Sequence, residues 1–162
     1  MADHIILMRD GEIVQEGTPA QLYDMPNNLF VASFLGTPQI NTFDCTVTEE
    51  NGRILLVSPE IRTEVNDADQ EALKSYIGKE ITLGIRPSDL VLVDDEAEAA
   101  VKATIDSMEL LGDAYLVYVR CGEKVLIFKN TDLNTKLNSQ VLLKPDLCKL
   151  HLFEKENGHR IN

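Results

Sequence analysis

The chain opens with two short apolar runs, Ile5-Ile6-Leu7-Met8 and Ile13-Val14, set on either side of Arg9-Asp10-Gly11-Glu12. An Asp-Gly pair between strand-like runs predicts a β-hairpin with a two-residue turn. With Asp10-Gly11 as the loop, Arg9 faces Glu12, Met8 faces Ile13 and Leu7 faces Val14, so charge and apolar character match across the strands. Apolar residues fall on both faces of this ribbon, which therefore needs cover from a sheet or helix layer. In Thr18-Pro19-Ala20-Gln21, Thr stands at a cap, Pro at the first helical position and Gln three residues on, a combination that starts a short helix through Tyr23. Pro26 ends it. Asn27 or Asn28 can cap a second helix over residues 29–35, apolar almost all round and so expected to be buried, with Gly36 able to close it.

From residue 40 onward the pattern is strand-like. Phe43, Cys45 and Val47 alternate with Asp44, Thr46 and Thr48, and Asn51-Gly52 is a strong two-residue hairpin signal. That turn sets Glu50 opposite Arg53 and Val47 opposite Leu56, placing Phe43, Cys45, Val47, Ile54 and Leu56 on one face. Asp67 can cap a short helix through Tyr76 that Gly78 stops. Further strands are predicted over residues 80–85, 101–108, 114–120, 124–128, 141–144 and 150–153. Short strands at this spacing, punctuated by Gly and Pro, imply a mainly β fold, a small barrel or sandwich. Gly36-Thr37-Pro38 marks the change of character and divides the chain into residues 1–38 and 39–162.

Length and composition narrow the function classes. The 162 residues suffice for one ordinary domain or two small ones. No apolar run approaches the ~20 residues that a membrane-spanning helix requires, and the start lacks the basic and apolar regions of a secretory signal, so a cytoplasmic setting is expected. A net charge of −12 opposes phosphate backbones and anionic lipid. Aromatic residues are only 6% and Trp is absent, which removes the interleaved aromatic and basic face of a single-strand nucleic-acid binder. Cys45, Cys121 and Cys148 are odd in number and lack Cys-x-x-Cys spacing, so neither a disulfide framework nor a zinc site is expected. The acidic run Asp94-Asp95-Glu96-Ala97-Glu98 lacks the alternating oxygen ligands and central Gly of a calcium loop and reads as a solvated loop. No catalytic, cofactor-binding or metal-binding residues are expected.

Several stretches carry a resemblance to a known family: Met1-Ala2-Asp3-His4-Ile5 through Arg9-Asp10-Gly11, Gly17-Thr18-Pro19, Leu22-Tyr23, Pro26, Phe30-Val31-Ala32 and Phe34-Leu35-Gly36-Thr37-Pro38. Later come Leu83-Gly84-Ile85-Arg86-Pro87, Glu109-Leu110-Leu111-Gly112-Asp113, His151-Leu152-Phe153 and Asn157-Gly158-His159-Arg160-Ile161. The chain resembles the C-terminal part of the ATP-binding subunit of bacterial sugar and glycerol-3-phosphate ABC importers, with a looser match between Cys121 and Leu147. The resemblance implies that residues 1–38 are the last hairpin and helices of the nucleotide-binding domain, and that residues 39–162 are an OB-type (TOBE) regulatory β-barrel.

The family's ATP and Mg²⁺ elements would lie upstream of Met1. The sequence contains no Gly-x-x-x-x-Gly-Lys-Ser/Thr loop to cradle a triphosphate, so no nucleotide hydrolysis is expected from this chain alone. His4 aligns after the family's switch histidine and reads as an ordinary strand-edge residue. The resemblance further implies a homodimer through paired regulatory domains, permease subunits as partners of the parent at the inner face of the membrane, and protein regulators in some members. Arg86, Pro87, Asp89, Glu109, Gly112 and Asp113 are the candidate dimer or regulatory surface, with turn formation and barrel-rim ion pairs as their plain structural roles. The alternative is a small-ligand module like the oxyanion-binding barrels of molybdate systems, although the Ser-Ala-Arg-Asn wording of those binders is absent.

Overall fold

The computed structural model describes residues 3–132 and 135–162, so Met1 and Ala2 of the first motif lie outside the described residues. Strands β1 (Ile5–Arg9) and β2 (Glu12–Gly17) form the expected antiparallel hairpin. Asp10 and Gly11 both take positive φ, 53° and 86°, as a primed two-residue turn requires. Arg9 faces Glu12 and Met8 faces Ile13, but Leu7 pairs with Gln15 and not with Val14. This bulge lets Leu7 and Val14 join the same apolar cluster and turns Gln15 toward the next connection.

Helix α1 (Pro19–Asp24) starts with the full Thr18/Gln21 capping box, and α2 (Leu29–Phe34) is capped by Asn28, whose Oδ1 accepts from Val31 N at 3.0 Å. The Gln15 amide staples the turn between them, donating to Met25 O and accepting from Asn27 N. Leu22 and Val31 pack on Leu7, so the two helices supply cover for one face of the hairpin. The other face, with Ile6, Met8 and Ile13, stays exposed. Helix α2 is also less enclosed than its composition predicts: Val31 and Ala32 are buried, while Phe34 is 63% exposed.

The rest is two sheets around one core. β3 (Asn41–Glu50), β4 (Arg53–Val57), β5 (Arg62–Glu64) and β6 (Glu80–Ile85) build the first sheet. β7 (Leu90–Val93), β8 (Val101–Leu111), β9 (Ala114–Cys121), β10 (Lys124–Asn130) and β11 (Gln140–Pro145) build the second, in the order β10-β9-β8-β11-β7. β12 (His151–Glu154) returns to the first sheet, whose order is β12-β6-β3-β4-β5. The Asn51-Gly52 register is as expected, with Glu50 opposite Arg53 and Val47 opposite Leu56.

Helix α3 (Asp67–Leu73), continued by a single 3₁₀ turn at Lys74–Tyr76, is capped by Asn66 and not by Asp67: Asn66 Oδ1 accepts from Asp69 N at 2.8 Å. Asp67 instead sits in the first turn, where its charge complements the helix dipole. β5 and β7, at three and four residues, are too short to show an alternation in sequence.

The apolar faces of both sheets meet in a single cluster that includes Phe43, Leu56, Ile81 and Leu83 from the first and Ile105, Val117, Phe128 and Leu143 from the second. Phe43 is completely buried there. Phe43→Ala should therefore destabilise the barrel by about 3–5 kcal/mol, as large-to-small core changes do, read as a lower urea midpoint with an unchanged m value.

Candidate functional site

The chain crosses between the sheets twice near one point. β6 ends at Ile85, Arg86 leads into a 3₁₀ turn with Pro87 at its first position, and β7 follows in the other sheet. β11 ends at Pro145, Asp146 caps a second 3₁₀ turn, and β12 returns to the first sheet. Asp146 N donates to Asp89 O at 2.8 Å, and Lys149 Nζ lies 3.3 Å from Asp89 Oδ1, so the two crossings are fastened together.

Arg86 is the largest fully buried side chain, at 1% exposure. Its Nη1 donates to Ala32 O at 2.9 Å and Leu35 O at 2.5 Å, and its Nη2 donates to Tyr23 O at 2.9 Å. Its Cζ sits 4.0 Å from the centre of the Tyr23 ring. These carbonyls belong to the last turns of α1 and α2, which no helical amide satisfies, so one planar fork closes both helix ends against the barrel. Gly36 takes φ 114°, and a Cβ there would come within 3.0 Å of Arg86 Nη1, which explains a glycine immediately after α2.

A second tie comes from the C-terminal residues. Gly158 O accepts from Leu29 N at 2.8 Å, Arg160 N donates to Asn27 O at 2.9 Å, and Ile161 N donates to Leu152 O at 2.7 Å. Arg160 Nη1 reaches Pro26 O at 3.3 Å and lies 3.1 Å from His151 Nδ1. His151 is buried, stacked with Phe153, and its pKa is held down to about 4 by burial and then by the Arg160 and Arg86 guanidinium groups. A cleft of about 460 Å³ opens here between α1 and the barrel, lined by Asp24, Arg86, Asp89, Lys149, His151 and Arg160 among others.

The six residues singled out in the sequence fall into two sets. Arg86, Pro87 and Asp89 are buried at the crossing, so they are not presented as a surface patch: their polar groups are spent on the helix ends, the turn and Lys149. Glu109, Gly112 and Asp113 lie at the exposed end of the β8–β9 hairpin, beside Leu110 and Leu111 at 64% and 56% exposure. Glu109 accepts from the Tyr118 hydroxyl at 3.1 Å, and Gly112 adopts φ 65° in the turn. Tyr23, His151 and Arg160 were not singled out for roles, because the contacts that define them cross between distant parts of the chain.

Other candidates resolve plainly. Burial pushes the Cys45 thiol up to about 12 and raises that of Cys121, leaving both as core residues. His4 is exposed, 3.8 Å from Glu16 Oε2. In the acidic run, Glu96 pairs with Lys102 and Glu98 with Lys144. Among the described residues no group of three or more His, Cys, Asp or Glu side chains is placed to hold a metal ion, and no helix is long and apolar enough to cross a membrane.

Comparison with known proteins agrees with this architecture. Residues 36–90 match the MalK OB fold domain and residues 83–153 the TOBE domain. Among solved structures, the cytoplasmic molybdate-binding protein ModG superposes with a TM-score of 0.52 at 17% identity, covering 69% of this chain and 94% of its own, a likeness of fold alone. The chain is therefore a MalK-type OB/TOBE protein. It belongs with the C-terminal portion of importer ATP-binding subunits, as sequence similarity along 99% of its length shows. It is 34% identical to the oligosaccharides import ATP-binding protein MsmX of Bacillus subtilis (strain 168), covering 99% of this chain and 45% of the relative. The sn-glycerol-3-phosphate import ATP-binding protein UgpC of Shigella boydii is 33% identical, with 99% and 44% covered. The trehalose/maltose import ATP-binding protein MalK of Thermococcus litoralis is 32% identical, with 99% and 45% covered. The chain thus spans a little under half the length of these relatives.

Two outcomes test the crossing. Arg86→Met removes the donors for the Tyr23, Ala32 and Leu35 carbonyls and should cost about 3–5 kcal/mol, as the loss of a buried multiply bonded charge does; hydrogen exchange should rise first in residues 18–35. His151 adds a pH dependence. Its folded pKa of about 4 lies below the ordinary 6.5, so the unfolded chain binds more protons between those values. Stability is full above pH 6.5 and falls as pH drops toward 4, by about 3 kcal/mol in all; His151→Phe should flatten that part of a stability-pH profile measured by urea unfolding.

Proposed function

We propose that this chain is the regulatory and dimerisation part of the ATP-binding subunit of a carbohydrate-class ABC importer, and that it does not itself hydrolyse nucleotide. What supports this reading is that its OB and TOBE matches run without a break over residues 36–153 and its similarity to import ATP-binding proteins extends over 99% of its length. ATP and Mg²⁺ would be held by the nucleotide-binding part of the whole subunit, whose phosphate-cradling loop this sequence lacks. The exposed Ile6, Met8 and Ile13 face of the hairpin is the surface such a part would cover. Residues 1–38 would then be the end of that part and residues 39–162 the regulatory barrel, working at the cytoplasmic side of the membrane beside permease subunits.

For the dimer, the β8–β9 hairpin end is the surface we favour. Leu110 and Leu111 stand exposed at its tip on opposite faces of the ribbon, with Glu109 and Asp113 beside them. A two-fold contact there must be self-complementary and should bury roughly 1,200 Å² or more to be stable. Sedimentation equilibrium is expected to show a reversible dimer, and Leu110→Asp with Leu111→Asp to shift it to monomer with unchanged circular dichroism. A monomer at all concentrations for the unsubstituted chain would remove the dimerisation role and leave the regulatory one to be tested on the whole subunit.

A further inference from the structure

The sequence holds two Asn-Gly pairs, Asn51-Gly52 and Asn157-Gly158, each preceded by a glutamate, Glu50 and Glu156. An asparagine followed by glycine is chemically labile, because no side chain on the glycine keeps its backbone nitrogen from the asparagine side-chain carbonyl carbon. The fold treats the two pairs differently. Asn51 and Gly52 form the exposed turn between β3 and β4, with φ of 51° and 77°. Among the described residues, neither the Asn51 side-chain amide nor Gly52 N has a hydrogen-bond partner, and a Cβ placed on Gly52 would meet nothing within 4 Å.

Asn157 is exposed as well, yet both reacting groups of its pair are engaged. Asn157 Nδ2 donates to Glu154 Oε2, and Asn157 Oδ1 accepts from His159 N at 2.8 Å. Gly158 N, the atom that would attack, donates to Glu154 O at 3.0 Å. A proton bonded to a carbonyl beside a carboxylate is hard to remove, and deamidation needs the amide nitrogen without it. The Tyr76 hydroxyl first, then Asn157 Nδ2, hold the Glu154 carboxyl below its ordinary range, so it is charged at the alkaline pH where deamidation runs. The same turn is a structural tie. Gly158 O accepts from Leu29 N in the first turn of α2, which has no acceptor within the helix, His159 bridges to Asn28, and Arg160 N donates to Asn27 O.

We propose that Asn157-Gly158 is a latent modification site, closed to deamidation while residues 154–160 are folded and open to it when that turn lets go of α2. In the open turn Gly158 N, having given its proton to solvent, bonds to Asn157 Cγ, and the Cγ–Nδ2 bond breaks with release of ammonia. Water then opens the succinimide at either carbonyl to give aspartate or isoaspartate, and nothing is oxidised or reduced. Either product puts a carboxylate where an amide donor met Glu154, and isoaspartate also adds a methylene to the main chain before Gly158. The bond to Leu29 N cannot then return in its original geometry. A transient opening thereby becomes permanent, leaving the Arg86 fork to hold α1 and α2 on the barrel. This chemistry is independent of transport and of dimerisation.

The test ages the intact chain at mildly alkaline pH and physiological temperature, with and without denaturing urea. Peptide mass spectrometry with fragmentation that separates aspartate from isoaspartate follows Asn51 and Asn157 in the same samples. In the folded chain Asn51 should convert and Asn157 should lag behind it by about tenfold or more, as a reaction that waits on local opening does. In urea the two rates should converge, because both pairs then present the same Glu-Asn-Gly sequence to solvent.

Asn157→Asp installs one product directly. Hydrogen exchange at the Leu29 and Arg160 amides should quicken by about tenfold in this variant, with exchange in β8 and β9 unchanged. Equal rates at Asn51 and Asn157 in the folded chain, or a gap between them that persists in urea, would overturn the proposal. So would Leu29 and Arg160 amides that stay as protected in Asn157→Asp as in the unsubstituted chain. The rate comparison uses the unsubstituted chain alone, so it decides the matter even if Asn157→Asp fails to fold.

Discussion

The arrangement depends on one guanidinium group enclosed in protein and spent on backbone. Arg86 brings a full positive charge out of water, and its compensation is three carbonyl oxygens and an aromatic face, with no carboxylate bonded to it. A bare helix end turned toward a protein surface normally needs water for its terminal carbonyls. Here α1 and α2 end beside the barrel instead, and the fork of Arg86 provides what solvent would have. Burial costs the guanidinium, and the partial negative charge at two helix ends returns part of that cost.

The same residue sits where the chain changes sheets, which gives its position a topological meaning. Pro87 and Pro145 each stand at a sheet crossing, where a missing amide and a fixed φ suit the exit from a strand. Asp89 and Asp146 then join the crossings through a backbone bond, and Lys149 adds an ion pair. The fold thus gathers Arg86, Lys149 and Arg160 at the place where it needs to hold carbonyls and tie crossings, and a cleft lined by these cations together with Asp24 and Asp89 is the by-product.

Local pattern carried much of the fold. The Asp10-Gly11 and Asn51-Gly52 turns, the Thr18/Gln21 capping box and the alternation at Phe43, Cys45 and Val47 were legible because each rests on residues close in sequence. The bulge that pairs Leu7 with Gln15 was not, since it answers to Leu22 and Val31, which approach only in the folded chain. Asn66 displaced Asp67 as the α3 cap by also bonding Leu147 O, 81 residues away. Of the residues proposed for a surface, Gly112 was legible as a hairpin turn, and the burial of Arg86 was not legible. Ile85-Arg86-Pro87 looks like a polar strand exit, and nothing nearby in sequence reveals that Tyr23, Ala32 and Leu35 will surround it.

The segment before the barrel is held at two separated anchors: the Arg86 fork at the ends of α1 and α2, and the pairing of residues 158–160 with Asn27, Asn28 and Leu29. One anchor would permit swivelling about the connection at Gly36 to Pro38. With two, any rotation of the hairpin about that connection has to break hydrogen bonds at the Arg86 fork or at residues 158–160, and both adjoin β6 and β12, neighbouring strands of one sheet.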